Sequence, residues 1–405
     1  MTATLTPHNL SGNKEMEIKL KYGCNPNQKL ARIVFDGEKC PLRIVSGTPG
    51  MINVLDGLRG WQLVRELKNS TGKASAASFK HVSPAGAAVA GTLSEAFCKA
   101  HFYDNAQNYS PVAQAYAKAR SSDRVASFGD FIAVSEKVDA SLAAIIKPEV
   151  SDGIIAPGYG ADALEILKQK KGGGYAILEM DPAYQPPAIE SRTLFGLKIE
   201  ESYNDCVIDK DLFTNVVTEN KNIPDDVIET LIVTTIALKH TQSNSVAVGW
   251  SGQAVGIGAG QQSRIACTRL CCEKAERFLL KQHPKALTLK YKDGLPRSEK
   301  VNVLDQFIRW SHLSDGERQL LRDQLTAEPQ PITAVEKAEW LAQFNGIALS
   351  SDAFFPFRDN LDRAARSGVK YVVQAGGSKR DNDMIQAANE HAMVMVMSGL
   401  RLFLH

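Results

Sequence analysis

The sequence predicts an α/β protein in which two similar units follow one another along the chain. Three observations support this: strand-like alternation recurs between segments of helical periodicity, glycine and proline mark the junctions, and two short patterns of the first half return in the second. With 405 residues and 44% hydrophobic content, the chain can bury a large core.

The charge balance limits the kinds of partner that we expect. The chain carries 47 basic and 45 acidic residues, a formal net charge of +2, which argues against nucleic acid bound by bulk electrostatics. The sequence has no apolar stretch near the roughly 20 residues needed to span a bilayer, and its polar N-terminus lacks a signal-peptide core. We therefore expect a cytoplasmic protein with small-molecule ligands and without a nucleic-acid or membrane partner.

The first half alternates strand and helix patterns. Residues 1–20 predict a flexible N-terminal arm. Leucines at helical spacing predict a helix from about residue 52 that ends at Gly72. A second helix is predicted with Ser110 as its N-cap and Pro111 in its first position. Strand patterns follow at 125–135 and 150–159.

A lysine and a histidine stand side by side after an apolar run. The residues before Lys80 and His81 predict a strand, and the Ser-Pro-Ala-Gly after them predicts a turn. Histidine exchanges a proton readily near neutral pH, and a neighbouring lysine can stabilise an oxyanion or protonate a leaving nitrogen. The alternative is a surface lysine beside a core histidine. Because consecutive strand residues point to opposite faces, one site can use both only if the backbone bends, as Pro84 and Gly86 would allow.

Two patterns recur in the second half. ALKHTQSNSVAV (237–248) resembles SFKHVSPAGAAV (78–89), and IALSSDAFFPF (347–357) resembles VASFGDFIAVS (125–135). The sequence therefore predicts tandem units over residues 21–215 and 216–405, the second with a helical insertion at about 273–345. The apolar C-terminal run LRLFLH predicts a last strand that ends at His405.

Two segments of the second unit are candidates for ligand contacts. VAVGW and QAVGIG predict a hairpin, and the glycines after it turn into a helix beginning near Gln261 with Arg264 in its first turn. Such a turn is either an anion site at a helix N-terminus or a closely packed junction. In SSDAFFPFRDN (350–360), Pro356 interrupts any strand ladder, so we expect some of the phenylalanine rings to line a cleft that suits a flat aromatic ligand.

Together these motifs closely resemble those of AICAR transformylases (5-aminoimidazole-4-carboxamide ribonucleotide formyltransferases), one part of a bifunctional purine-biosynthesis protein. The resemblance covers residues 20–405, and only about 20 residues precede it, which predicts a stand-alone transformylase without the IMP cyclohydrolase domain. The motifs occur in the family's order: KYGxNPxQ at 21–28, SFKHVSPAGAA, SFGDF, SDGIIAPGY, RTLFGL at 192–197, KHTQSNSV, GIGAGQQSR, SSDAFFPFRDN and RLFxH.

The resemblance implies transfer of the formyl group of 10-formyltetrahydrofolate to the 5-amino group of AICAR, giving FAICAR and tetrahydrofolate in IMP biosynthesis. It implies a duplicated cytidine-deaminase-like fold, a homodimer with its active sites at the subunit interface, and a structural monovalent cation near the C-terminus. The zinc signature of the deaminases, H-x-E with P-C-x-x-C, is absent from the sequence, so we expect no metal-activated water.

The resemblance also implies roles for individual residues. The AICAR amine is a poor nucleophile because its lone pair is delocalised, so His81 would remove its proton, while Lys80 would stabilise the oxyanion or protonate folate N10. The implied AICAR-binding residues are Lys21, Tyr22, Gly129, Asp152, Asn244, Phe354, Arg401 and His405. The implied folate-binding residues are Arg264, Ile265, Asp359, Gly377 and Ser378.

The sequence departs from the family pattern at Lys21, Asn27 and Leu404, where the family usually has arginine, histidine and histidine. At position 21 a phosphate would meet a point charge instead of a bidentate fork. An alternative function is a catalytically silent paralogue that binds AICAR or folate; such a paralogue would be expected to lose catalytic residues, but Lys80, His81 and Asn244 are present. A mechanism that uses formate and ATP is not supported, because the sequence contains no P-loop.

Overall fold

The computed structural model describes residues 6–8, 15–37 and 39–405 as an α/β protein with a mixed central sheet. Its strands in this part of the chain are β1 (Thr6–His8), β2 (Glu15–Lys19), β3 (Arg32–Asp36), β4 (Leu42–Ser46), β5 (Ser75–Lys80), β6 (Ser83–Val89), β7 (Asp130–Val134), β8 (Ser151–Ala156), β9 (Ala176–Met180), β10 (Ile189–Leu194), β11 (Leu197–Ser202), β12 (Val246–Trp250), β13 (Gln253–Gly258), β14 (Ala348–Ser351), β15 (Tyr371–Gln374) and β16 (Val394–Met397). The helices are α1 (Met51–Thr71), α2 (Glu95–His101), α3 (Pro111–Ser121), α4 (Ala140–Ile146), α5 (Ala161–Lys168), α6 (Asp225–Lys239), α7 (Arg264–Leu280), α8 (Pro284–Leu287), α9 (Arg297–Ile308), α10 (Asp315–Arg322), α11 (Ala334–Leu341), α12 (Asp359–Arg366) and α13 (Asp381–Glu390). Among these described helices none is long and apolar enough to cross a membrane.

A small antiparallel sheet, β1-β2-β3, lies apart from the central one. Glu15–Lys19 pair with Arg32–Asp36 along their whole length. The prediction of a flexible arm over residues 1–20 is therefore wrong for Glu15–Lys19, because the backbone of β2 is hydrogen-bonded to β3. Residues 1–5 and 9–14 lie outside the described residues.

The central sheet has eleven strands in the order β16-β15-β14-β12-β13-β6-β5-β7-β8-β9-β4. At its centre β13 and β6 pair antiparallel. Outward from this contact the same pairings follow on both sides: a hairpin partner, an antiparallel neighbour, and then two parallel strands.

The two central hairpins agree in finer detail. Each has a two-residue turn, between Lys80 and Ser83 in β5–β6 and between Trp250 and Gln253 in β12–β13. Each also has a register shift at the same distance from its turn. Residues of the two hairpins can therefore be matched one to one, counting from the turns.

Helices cover both faces of the central sheet. Alternate residues of a strand point to opposite faces, and in β5 Ala76 joins one buried cluster and Ala77 the other. Helices α1 and α6 pack on the face of Ala77, and α3, α4, α5, α7, α12 and α13 pack on the face of Ala76.

Several local predictions are confirmed. Gly72 ends α1 with a φ of 69° in the left-handed region, and the Ser110 side chain caps α3 ahead of Pro111. Close packing is confirmed for two glycines of the glycine-rich segment, both in β13, while the helix after it begins at Arg264 instead of near Gln261. A Cβ on Gly256 would lie 2.1 Å from the backbone oxygen of Cys271, and one on Gly258 would lie 2.4 Å from that of Cys267.

Other predictions are wrong. Ser83–Val89 form strand β6, so the Ser-Pro-Ala-Gly segment is not a turn. The C-terminal segment is not a strand, since β16 ends at Met397. The predicted helical insertion begins later than residue 273, because α7 continues to Leu280 and packs on β12 and β13. Helices α8 to α11 follow it with an apolar cluster of their own.

Lys239 and His240 are not the structural counterpart of Lys80 and His81. Lys239 is the last residue of α6, and its ammonium group lies 3.0 Å from Glu66 of α1; the His240 ring lies 3.2 Å from the same carboxylate. The pair joins α6 to α1 inside the protein because both side chains are buried.

Candidate functional site

Lys80 is the last residue of β5, and His81 follows it on the two-residue turn between β5 and β6. His81 and Val82 have φ values of 53° and 59°, so the two residues form a tight turn in the left-handed region. The predicted bend of the backbone is present, but it lies at His81 and Val82 instead of at Pro84 and Gly86. His81 is exposed, and the Lys80 ammonium group donates to the backbone oxygen of Phe128.

Asp56 of α1 lies beneath this turn. Its Oδ1 accepts a hydrogen bond from the Val82 amide at 2.6 Å. Burial raises the pKa of Asp56 to about 6, although the Val82 hydrogen bond and the His81 charge act in the opposite direction. No motif in the sequence points to Asp56; a carboxylate on the buried face of α1 was the signal available for finding it.

Gly129 and Asp152 lie beside the same turn, at the starts of β7 and β8. Gly129 has a φ of 73° and donates to the Val150 backbone oxygen at 3.0 Å, and a Cβ added at this position would lie 3.9 Å from the Asp152 carboxylate. Lys171, which follows α5, pairs with Asp152 at 2.6 Å. The glycine leaves open space next to a charged pair.

Lys21 and Tyr22 lie at the N-terminus of α1, whose second turn carries Asp56. The backbone oxygen of Tyr22 accepts from the Met51 amide at 3.3 Å, and the Tyr22 ring lies near Gly50. The Lys21 ammonium group is 5.7 Å from the centre of the Tyr22 ring. Both residues therefore lie where the helix dipole favours negative charge.

A buried ion network fixes the strand starts below these residues. Arg120 of α3 lies 2.7 Å from Asp130 and 3.1 Å from Glu149, and Arg124 lies 2.7 Å from Glu149. Burial alone would raise the pKa of Glu149, but the guanidinium groups of Arg124 and Arg120 lower it to about 2. Arg120 also donates to the Val150 oxygen at 2.9 Å, which ties β7 to β8.

Asn244 and Arg264 lie at the start of β12 and the start of α7. The Arg264 guanidinium contacts Asp352 directly and donates to the Asn244 oxygen at 2.8 Å. Asp352 also accepts from the Ser245 amide at 2.8 Å. Arg264 is buried in these contacts, so its geometry suits orienting Asn244.

The C-terminal segment crosses the same place. The Leu404 amide donates to Ser243 Oγ at 3.1 Å, and the Leu402 amide donates to the backbone oxygen of Asp352 at 2.8 Å. The Arg401 guanidinium carbon lies 4.8 Å from the centre of the Phe403 ring, and the His405 ring centre lies 5.7 Å from it. The segment thus brings both residues near Asn244.

The residues that the resemblance assigns to folate lie around the ends of β14 and β15, together with Phe354, which it assigns to AICAR. Phe355 is buried, while Phe354 and Phe357 are 42% and 53% exposed, as expected if some of these rings line a cleft. Asp359 is the first residue of α12, and Ile265 follows Arg264 on α7. After β15, the amides of Gly377 and Ser378 donate to Asp381 at 2.8 and 3.2 Å.

The predicted residues lie at the same end of the strands of the central sheet, and the strand order separates them into two sets. Asp152 at β8 and Asn244 at β12 are five strands apart, or roughly 24 Å along the sheet, and the same holds for β5 and β15. One chain therefore does not bring all of these residues together. The first set comprises Lys21, Tyr22, Lys80, His81, Gly129 and Asp152. The second set comprises Asn244, Arg264, Ile265, Phe354, Asp359, Gly377, Ser378, Arg401 and His405.

Asp352 is the other residue that the sequence analysis left out of the site. It is buried and holds Arg264, Ser243 and Ser245 in place. In the described part of the chain, no group of three or more His, Cys, Asp or Glu side chains is placed to hold a metal ion.

Comparison with known proteins decides the family. A family model described as AICARFT/IMPCHase bienzyme matches residues 2–274, about two thirds of the chain. The chain belongs to the AICARFT/IMPCHase bienzyme family. This membership agrees with the resemblance found in the sequence motifs.

Relatives from the AICARFT/IMPCHase bienzyme family are similar over nearly the whole chain. A bifunctional purine biosynthesis protein PurH of Roseobacter denitrificans is 28% identical over 393 residues, which are 95% of this chain and 59% of the relative. One of Agrobacterium fabrum is 29% identical over 405 residues, 99% of this chain and 61% of the relative. The chain thus spans about three fifths of the length of the curated relatives that it matches.

Proposed function

We propose that this chain acts in purine biosynthesis by transferring the formyl group of 10-formyltetrahydrofolate to the 5-amino group of AICAR. The observation that carries the proposal is the His81–Val82 turn, which presents an exposed imidazole next to a lysine whose ammonium group is already held by Phe128. Membership of the AICARFT/IMPCHase bienzyme family and the PurH relatives support the substrate class.

In this proposal His81 takes the proton of the AICAR amine while the amine nitrogen bonds to the formyl carbon. The bond from that carbon to folate N10 then breaks, and N10 leaves with a proton. Lys80 either stabilises the oxyanion in between or supplies that proton. Asp152 and Gly129 border the space beside the turn and suit the amide and amine groups of an imidazole carboxamide.

We further propose a homodimer in which each active site combines the first residue set of one copy with the second set of the other. The five-strand separation of Asp152 from Asn244, and of β5 from β15, in a single chain supports this arrangement. The β10–β11 hairpin supports it too, because all its residues are exposed, and such a hairpin is marginally stable without a partner. Its apolar side chains include Ile189, Leu194, Phe195, Leu197 and Ile199.

The same hairpin reaches the second set. Arg192 of β10 donates to the backbone oxygen of His405 at 2.7 Å, so a partner that packs on the hairpin would also adjoin the C-terminal segment. A surface of this kind, apolar and continuous with a predicted site, suits a second copy of the chain.

Three further predictions complete the proposal. The recurrence of strand order and hairpin detail supports a tandem cytidine-deaminase-like duplication with units near 21–215 and 216–405. A structural monovalent cation and a cytoplasmic location stay predictions. No step of the proposed reaction uses the cation.

The test is formyl transfer by the purified protein, followed as tetrahydrofolate formation from AICAR and 10-formyltetrahydrofolate. We expect turnover in the wild type and a loss of about 100-fold or more in His81→Ala, the range for removing a general base. Ser251→Ala, at the matching position of the other hairpin, should retain full activity. Absence of turnover in a folded wild type that still binds AICAR would favour the catalytically silent alternative instead.

A further inference from the structure

We infer that Asp56 is a positioning residue for the reaction, because its carboxylate holds the turn that presents His81. The inference rests on the proposed function for the identity of the reaction. Its geometric part, the contact between Asp56 and Val82, can be measured independently of any reaction.

The turn has a composition that normally disfavours its conformation. Both central residues of a two-residue turn with positive φ are usually asparagine, aspartate or glycine, whereas this turn has His81 and Val82. A β-branched side chain at positive φ is strained. Something outside the hairpin must therefore hold the turn, and the 2.6 Å hydrogen bond from the Val82 amide to Asp56 does so.

The β12–β13 hairpin has an equivalent hydrogen bond at a less strained turn. Gly252 occupies the position of Val82, and its amide donates to Thr230 Oγ1 at 3.0 Å. Asp56 and Thr230 are both the sixth residue of the helix that precedes their hairpin. A neutral hydroxyl is thus sufficient for an ordinary Ser-Gly turn, while the strained His-Val turn has a carboxylate.

The carboxylate also adds a charge that the hydroxyl of the other half lacks. The charged groups that act on Asp56 are His81 of the turn, Asp130 of β7 and Asp152 of β8. Because burial raises the pKa of Asp56 only to about 6, the side chain is mainly ionised at neutral pH. An ionised acceptor binds the Val82 amide more strongly than a neutral one.

The experiment compares Asp56→Ala, Asp56→Thr and the double variant Asp56→Ala/Val82→Gly with the wild type. Thr230→Ala is the matched control, because it removes the equivalent hydrogen bond from the other hairpin. Two quantities are measured: kcat and KM for formyl transfer, and the amide proton shift of Val82 in protein labelled with 15N-valine. Thermal melts confirm that each variant is folded.

We expect Asp56→Ala to lower kcat about 100-fold, as for a displaced catalytic group, with KM for AICAR changed less than about twofold. Asp56→Thr should lose less, since it keeps an acceptor. In the double variant, the glycine substituted for Val82 relaxes the turn, so part of the lost kcat should return. The Val82 amide proton should move upfield in Asp56→Ala, and Thr230→Ala should leave kcat unchanged.

Two results would overturn the inference: a kcat for Asp56→Ala within about threefold of the wild type, or a Val82 amide shift that does not respond to the loss of the carboxylate. If the wild type transfers no formyl group, the proposed function has failed. The amide shift then still decides whether Asp56 holds the turn.

Discussion

The two central hairpins have the same backbone and different chemistry. Both have a two-residue turn with positive φ, a register shift at the same place, and a helix side chain that accepts from the second turn amide. In β12–β13 the turn is Ser-Gly and the acceptor is Thr230. In β5–β6 the turn is His-Val and the acceptor is Asp56.

This difference shows how a scaffold can be adapted for a site at a cost in stability. The Ser251–Gly252 turn has glycine at its second position, where a positive φ costs little. The His81–Val82 turn does not, and it persists because Asp56 and the strands around it determine its shape. Strain, a buried carboxylate and an exposed imidazole thus occur together in only one of the two hairpins.

The interior below the two hairpins differs as well, and this gives the largest expected effect on stability. Gly86 of β6 and Gly256 of β13 occupy matching positions, counted from the turns. A Cβ on Gly86 would meet the backbone oxygen of Ala119 of α3, and one on Gly256 that of Cys271 of α7. The next helix residues, Arg120 and Cys272, therefore also match. We expect Arg120→Met to lower the free energy of unfolding by about 3–5 kcal/mol, because it leaves buried carboxylates without their partner. Chemical denaturation measures this loss.

The control for this prediction is a surface ion pair whose carboxylate faces solvent. Arg318→Met removes the partner of Asp315, 3.0 Å away and almost fully exposed, and should cost less than about 1 kcal/mol. Equal losses in the two variants would contradict the importance given to the network of Arg120.

The pH dependence of stability should distinguish Asp56 from Thr230. The pKa of Asp56 is about 6 in the folded chain against an ordinary value of 3.8, so between these values the folded state holds more protons than the unfolded state. Stability from this group is therefore lost as pH rises. Relative to Asp56→Asn, the wild type should lose up to about 3 kcal/mol of unfolding free energy between pH 4 and pH 7.

The measurement is urea denaturation of both proteins across that pH range. A difference that stays constant with pH would show that the folded chain does not perturb the Asp56 carboxyl. Thr230→Val should show no such pH dependence against the wild type, since neither side chain titrates.

Exchanging the turn residues should give the smallest effects, with opposite signs. Gly252→Val should lower the free energy of unfolding by about 1–2 kcal/mol. The valine would have to adopt a positive φ, and its Cβ would lie 2.9 Å from the Glu229 carboxylate. Val82→Gly should raise it by up to about 1 kcal/mol, since the relief of strain exceeds the entropy cost of glycine. Thermal melts of both variants test this, and a loss in both would mean that Val82 is not strained.

Local signals in the sequence were sufficient for much of the fold. Helix α1 with its stop at Gly72, the Ser110 cap and the β12–β13 hairpin each depend on neighbouring residues, so periodicity and turn composition predicted them. The turn at His81 and Val82 has no such signal. Its stabilising partner, Asp56, is 26 residues away, and the Ser-Pro-Ala-Gly after it imitates a turn.

Long-range contacts explain the other wrong predictions. Lys239 and His240 looked like a repeat of Lys80 and His81, but their partner is Glu66 on another helix. The apolar C-terminal segment alternates like a strand, yet it hydrogen-bonds to Ser243 and Asp352 instead of extending the sheet. The sequence motifs predicted candidate site residues through family resemblance, but not the separation of those residues into two sets.

The central claim is that one copy supplies His81 and another supplies Asn244 to a single formyl-transfer site. The most direct test is to mix inactive His81→Ala with inactive Asn244→Ala under conditions that exchange subunits, and to measure tetrahydrofolate formation. Random exchange gives half mixed dimers, each with one intact site, so activity should return to about a quarter of the wild type. Activity that stays at the level of the separate variants would contradict the shared site.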